Sequence, residues 1–305
     1  MTIRNPIEWS GAQFVQAAHV FGVAGRSLQH IQDTIRSPAP AVAHIGVADL
    51  RDALAKGFAD FEAYRSDVLF VGLVYAGVGL VLARAAFGMD LLPLLFPLAS
   101  GFALIGPFAA VGLYEMSRMR EQGAELRWTN AFDVFKAPAV GAIAVLGTML
   151  IALFALWLGT AWMIYLNTFG DAPIVSLGQF AHDVLRTPGG QSMTVIGIGV
   201  GFVFALAAMA VGIVSFPLLL DRDVGLDTAI RTSVRAVLAN PGPMALWGAI
   251  VAGGLAIGSA PLFVGLIVVI PVLGHATWHL YRKLVPRDGE TPGVRRVLPV
   301  FDDVN

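Results

Sequence analysis

Cysteine is absent from this chain of 305 residues. That excludes disulfides, thiolate metal sites and cysteine nucleophiles, and leaves the compartment unread. Charge is scarce: Asp, Glu, Lys and Arg make up 13% of the residues, against about 25% in ordinary soluble domains. The net charge is −1, so no basic field points to nucleic acid, and none is expected as a partner. A clean secretory signal is also missing, because Gln13, Gln16 and His19 interrupt the first apolar stretch. No phosphate loop, Rossmann fingerprint, catalytic-serine motif or HExxH occurs. The reading is therefore of a non-enzyme with no catalytic residue and no cofactor.

What fills the chain instead is apolar. Hydrophobic residues reach 56% and mean hydropathy is +0.72, where about 45–50% apolar is usual for soluble domains. Six long apolar runs stand out: Val68–Phe87, Leu91–Leu113, Ala139–Leu166, Met193–Leu220, Met244–Gly258 and Leu262–Tyr281. Each is of the order of the about 20 residues a bilayer-spanning helix needs. "SAP" at Ser259–Pro261 divides the last two as a hairpin turn. The expected fold is an all-α integral membrane protein with six transmembrane helices.

Eighteen of the Lys and Arg residues fall before, after or between these runs on one side, and only Arg84 and Arg186 on the other. The positive-inside rule then places both termini in the cytoplasm of a bacterial inner membrane. Residues 1–40 carry Phe14, Ala18, Phe21, Leu28, Ile31 and Ile35 near helical spacing and end in "SPAPA". They read as an amphipathic arm. Residues 45–285 form the membrane domain and 286–305 a cytoplasmic tail. Between Asn167 and Gln191, Ile174, Leu177, Ala181, Val184 and Leu185 suit a short helix on the outer surface.

A repeat is written into the spacing. Leu50, Leu54, Phe58 and Phe61 are matched, 176 positions later, by Leu226, Ile230, Val234 and Val237, and Ala53 by Ala229. Both sets are one stripe of an amphipathic helix just before a span. A weaker copy holds Trp128, Phe132 and Phe135. The second span of each pair bears a proline, Pro107, Pro217 or Pro271. The chain thus reads as three parallel two-span repeats, at about 45–120, 126–223 and 224–285, each preceded by a cytoplasmic amphipathic helix.

The stretches "DLRDALAKGFADF", "GPFAAVGLYEMSR", "FPLLLDRDVGLDTAIRTSVRAVLANPGPMALWGAIVA" and "PVLGHATWHLYRKL" together resemble a bacterial integral-membrane family known as domain of unknown function 2189. The likeness runs from about Ile45 to Val285. It implies a six-span inner-membrane protein, and some relatives are labelled cytochrome c oxidase subunits. It carries no catalytic residue onto this chain.

His275 and His279 are the residues with the clearest chemical potential. Spaced i and i+4, they share one helix face and can chelate a small ion, with Glu115 as a carboxylate at similar depth. They cannot supply both axial ligands of a haem, which approach from opposite faces of the ring. The other reading is a buried polar contact, favoured at a helix C-terminus by the dipole. Three functional classes follow. One is a non-catalytic protein of the lipid bilayer that assembles with or regulates a membrane partner complex, its partner being another membrane protein or a second copy of itself. The others are a small-solute or lipid carrier, and a metal- or haem-linked oxidase accessory subunit.

Overall fold

The computed structural model describes residues 37–64, 84, 92–124, 131, 133–135, 137–170, 176–261, 264–287 and 297–298. In chain order these form β1 (Val42–Ala43), α1 (Val47–Ala63), α2 (Leu95–Ala109), α3 (Val111–Glu121), α4 (Val140–Thr168), α5 (Leu177–Arg186), α6 (Pro188–Gly212), α7 (Ser215–Asp221), α8 (Leu226–Ala239), α9 (Pro241–Ser259), α10 (Leu266–Leu284) and β2 (Val297–Leu298). The apolar run 68–87 (Arg84 apart), residues 1–36, Trp128 and most of the tail lie outside the described residues.

Among the described residues four helical stretches are long and apolar enough to cross a membrane: Phe96–Glu121, Val140–Thr168, Pro188–Asp221 and Pro241–Ser259. They carry the second to fifth apolar runs. The sixth run is the helix α10, whose second half is too polar to place it with those four. α9 and α10 part at the "SAP" turn, where Gly258 and Gly265 meet so closely that a Cβ on Gly265 would lie 2.8 Å from Gly258 Cα. Pro217 sits four residues after Ile213, where α6 breaks into α7. A proline lacks the N–H for that carbonyl and clashes with it, which explains the break. Pro107 and Pro271 lie inside unbroken helices. The short helix expected between Asn167 and Gln191 is α5, capped by Ser176, whose Oγ accepts from the Gln179 N–H at 3.2 Å.

The 34 residues of Pro188–Asp221 rise about 51 Å, well beyond the about 30 Å of bilayer hydrocarbon. α3, α7 and the second half of α10 pack on one another at one end. There they form a cap around a fully buried core. Met116, Phe216, Leu218, Trp278, Leu280, Tyr281 and Leu284 are all fully buried in it. The spans show the reverse pattern, with Leu156, Met163, Ile198, Phe202, Val203 and Ile257 exposed. Large apolar side chains face outward there because the surrounding solvent is lipid.

α1 and α8 both form where the spacing places them, and the buried face takes in part of the apolar stripe together with the small residues beside it. On α1, Leu50, Ala53, Gly57, Asp60 and Phe61 are buried, while Phe58 of the stripe is 48% exposed. On α8, Thr228, Ala229, Thr232, Ser233, Ala236 and Val237 are buried, and Leu226, Ile230 and Val234 partly. The small face lets each helix back onto a span end. A Cβ on Gly57 would stand 2.5 Å from the Ala276 amide nitrogen of α10. Ser233 Oγ accepts from the Val214 N–H at 3.2 Å, and Ser215 Oγ donates to the Ala229 carbonyl at 3.1 Å.

The "SPAPA" break is a strap along α8. At one end Ser37 Oγ accepts from the Gly225 N–H at 2.9 Å, and the Thr228 hydroxyl donates to the Ser37 carbonyl at 2.9 Å. At the other, the Ile45 N–H donates to Asn240 Oδ1 at 2.8 Å, and His44 Nδ1 meets the Ala239 carbonyl at 3.0 Å. Seven extended residues cover about 23 Å, which matches the about 21 Å rise of the 14 residues of α8. β1 then pairs antiparallel with β2, Val42 opposite Leu298. Ser37 therefore belongs with the folded body.

Candidate functional site

The two histidines meet a carboxylate, but not Glu115. His279 Nε2 donates to Asp60 Oδ2 at 2.8 Å, and Arg120 holds the other carboxylate oxygen. The Ser117 hydroxyl donates to Asp60 Oδ2 at 2.5 Å and lies 2.8 Å from His275 Nδ1. A hydroxyl has one proton. With it committed to Asp60, His275 must carry its proton on Nδ1 and donate to Ser117. His275 Nε2 is left buried without a hydrogen-bond partner. Tyr64 completes the group: its ring stacks on His275 at 6.0 Å and its hydroxyl donates to the Met116 carbonyl at 2.9 Å.

Three elements converge to build this knot. α1 brings Asp60 and Tyr64, α3 brings Ser117 and Arg120, and α10 brings His275 and His279. Asp60, Ser117, Tyr64 and His275 are all buried. Burial opposes ionisation of Asp60, yet the hydrogen bonds from His279 and Ser117, with the nearby histidines, hold its carboxyl below the usual range. Burial, and then the Asp60 charge, push the Tyr64 phenol up to about 12.

Glu115 faces elsewhere. Arg118 takes it in a two-pronged bond, at 2.8 Å and 2.7 Å, the geometry that suits guanidinium and carboxylate. The trio His275, His279 and Glu115 is thus not brought together; Asp60 occupies the place given to Glu115. Among the described residues no group of three or more His, Asp or Glu side chains is arranged to hold a metal ion. Nor do Ser117, His275 and Asp60 form a nucleophile with its base, because the serine proton points to the carboxylate and the serine is 1% exposed. On α5 His182 and Asp183 stand 3.4 Å apart, the first exposed and the second partly so.

A second network ties the cap at its far side. The Tyr281 hydroxyl donates to Asp221 at 2.7 Å, and Arg282 bridges Asp221 and Glu121, at 3.3 Å to each. Lys283 pairs with Asp52 of α1 at 2.8 Å. Asp60, Ser117, Arg120 and Tyr64 escape a reading of motifs. The available signal is Ala53, Gly57, Asp60 and Tyr64, spaced four, three and four: a small-residue helix face with one acid on it.

No curated protein and no solved structure matches the chain. A family description does match, over a stretch that includes Glu115, Ser117 and Arg120 but neither Asp60 nor the two histidines, and that is shorter than the likeness read from Ile45 to Val285. Residues 95–221, from the start of α2 to the end of α7, match the family described as predicted integral membrane protein (DUF2189), and the chain is a multi-pass membrane protein.

Proposed function

We propose that the protein is a non-catalytic, six-span inner-membrane subunit that assembles with, or regulates, a membrane partner complex, with the cap and both termini in the cytoplasm. The observation that carries this reading is how the cap spends its charge. Asp60, Arg120, Glu115, Arg118, Asp221 and Arg282 are paired across or beside helix ends. Such internally satisfied groups fix a shape to be recognised, whereas ion and proton pathways place ionisable groups along the spans.

The docking pattern supports the three-repeat reading. α1 backs onto the end of α10, α8 onto the junction of α6 and α7, and Ala131 onto Gly112 of α3, 3.1 Å from where its Cβ would be. Each interfacial segment thus leans on the proline-bearing span of the unit before it, the first on the last. That closes a ring.

Orientation is tested by reporter fusions at Gly170 and Asn305, which should report opposite faces, the latter cytoplasmic; a shared face contradicts the six-span arrangement. Partner binding is tested by deleting residues 2–36, a cut that keeps the Ser37 cap on α8. The shortened protein should insert and elute as the wild type does in gentle detergent, while at least one co-purifying membrane protein is lost. An unchanged set of co-purifying proteins counts against the arm as the docking element, and aggregation would make it part of the core.

A further inference from the structure

We infer that Leu238 on α8 and Phe58 on α1 rest in lipid, at the acyl-chain boundary of the leaflet that meets the cap, so that the rim of the cap is a membrane-contact surface. This goes beyond the partner reading and does not depend on it.

Leu238 is 74% exposed, as much as Ile257 on the outward face of α9. Its level follows from the chain. α9 has 19 residues and rises about 28 Å, close to the about 30 Å of hydrocarbon it must cross. Its first residue, Pro241, must therefore stand at the edge of the hydrocarbon. Leu238 precedes it by three residues, within about 10 Å even if the chain is fully extended. A large aliphatic side chain at that level gains most by turning to lipid.

α1 is the counterpart of α8 176 positions earlier. Ala53 and Ala229 are both fully buried, and Gly57 and Ser233 each face the end of a proline-bearing span. Where α8 has Leu238, α1 has the exposed Glu62. On α1 the apolar contact is therefore one turn earlier, at Phe58, which is 48% exposed, with Val47 at 56% on the same side. Asp52, paired with Lys283 of α10 at 2.8 Å, lies well around the helix from Phe58 and Val47.

The absence of cysteine makes the test clean, since each introduced thiol is the only one. Nitroxide labels at Leu238→Cys, Phe58→Cys, Glu62→Cys and Ile257→Cys are read in proteoliposomes for collisions with oxygen, which favours lipid, and with a water-soluble nickel chelate. Oxygen should dominate at Leu238 and Phe58, as at Ile257, and the chelate at Glu62. Chelate dominance at either Leu238 or Phe58 would place that side chain in water and overturn the inference. Suppression of both agents there overturns it too, because the occupant would then be protein. Val47→Cys repeats the reading on α1 should the label at Phe58 disturb insertion.

Discussion

Gly57→Ala is expected to lower the thermal stability of the detergent-solubilised protein more than any other single methyl addition on α1, and Gly57→Val to abolish the docked state. The added Cβ would fall 2.5 Å from the Ala276 nitrogen, 2.6 Å from its Cβ and 2.7 Å from its Cα. None of these is the flexible end of a side chain, so one helix must move as a body. Overpacking of a well-filled interior typically costs about 1–3 kcal/mol. Here the upper part of that range is expected, because moving α1 also stretches the bonds to Asp60. Gly253→Ala on α9 is the control, since nothing lies within 4 Å of its Cβ position. In a helix interior that change is neutral or favourable by up to about 1 kcal/mol. Melting curves followed by size-exclusion chromatography would compare the two. A Gly57→Ala protein as stable as the wild type would mean that α1 does not approach α10 this closely.

The existence of α1 and α8 was legible because a period of three to four residues survives in any solvent. Which residues of their apolar stripes would be buried was legible only in part. In water, the stripe Leu50, Leu54, Phe58 and Phe61 would have to turn inward. Beside a membrane a large apolar residue has two acceptable neighbours, protein and lipid, and the close approach of two helices selects small residues instead. Hence Leu50 and Phe61 are buried as the stripe requires, Ala53 and Gly57 are covered beside them, and Phe58 is left exposed. The position of His275 inside a span announced a buried polar group, but its partners are tertiary. Ser117 is 158 residues away, and Asp60 binds His279 across 219. Glu115 is the acid of "GLYEMSR", but Arg118 lies one turn further along the same helix and claims it locally. Ser37 escaped for the same reason: a serine before prolines reads as a break, and nothing local says that it caps a helix 188 residues on. The "SAP" hairpin was legible because proline and a forced reversal act within a few residues.

Asp60 is the residue whose loss should loosen the cap most. Asp60→Leu removes the acceptor for His279, Ser117 and Arg120 at once. It also leaves His275 bonded to a serine that has nowhere to donate. Removing one partner of a buried ion pair costs about 3–5 kcal/mol. The Arg120 side chain is 36% exposed and can turn to water, so about 2–3 kcal/mol is the expected loss. Asp60→Asn keeps an acceptor oxygen near the same place and should lose less. The pH profile separates the charge from the shape. The folded-state carboxyl is held below its usual range, so its contribution is present above the unfolded value of about 3.9 and is lost as pH falls through the still lower folded value. The stability gap between wild type and Asp60→Asn should therefore hold or widen from pH 8 to pH 5. It should close only in acid, below about pH 4. A gap that narrows already between pH 8 and pH 5 would mean that Asp60 is not ionised in the cap, and that the knot is held by neutral hydrogen bonds alone.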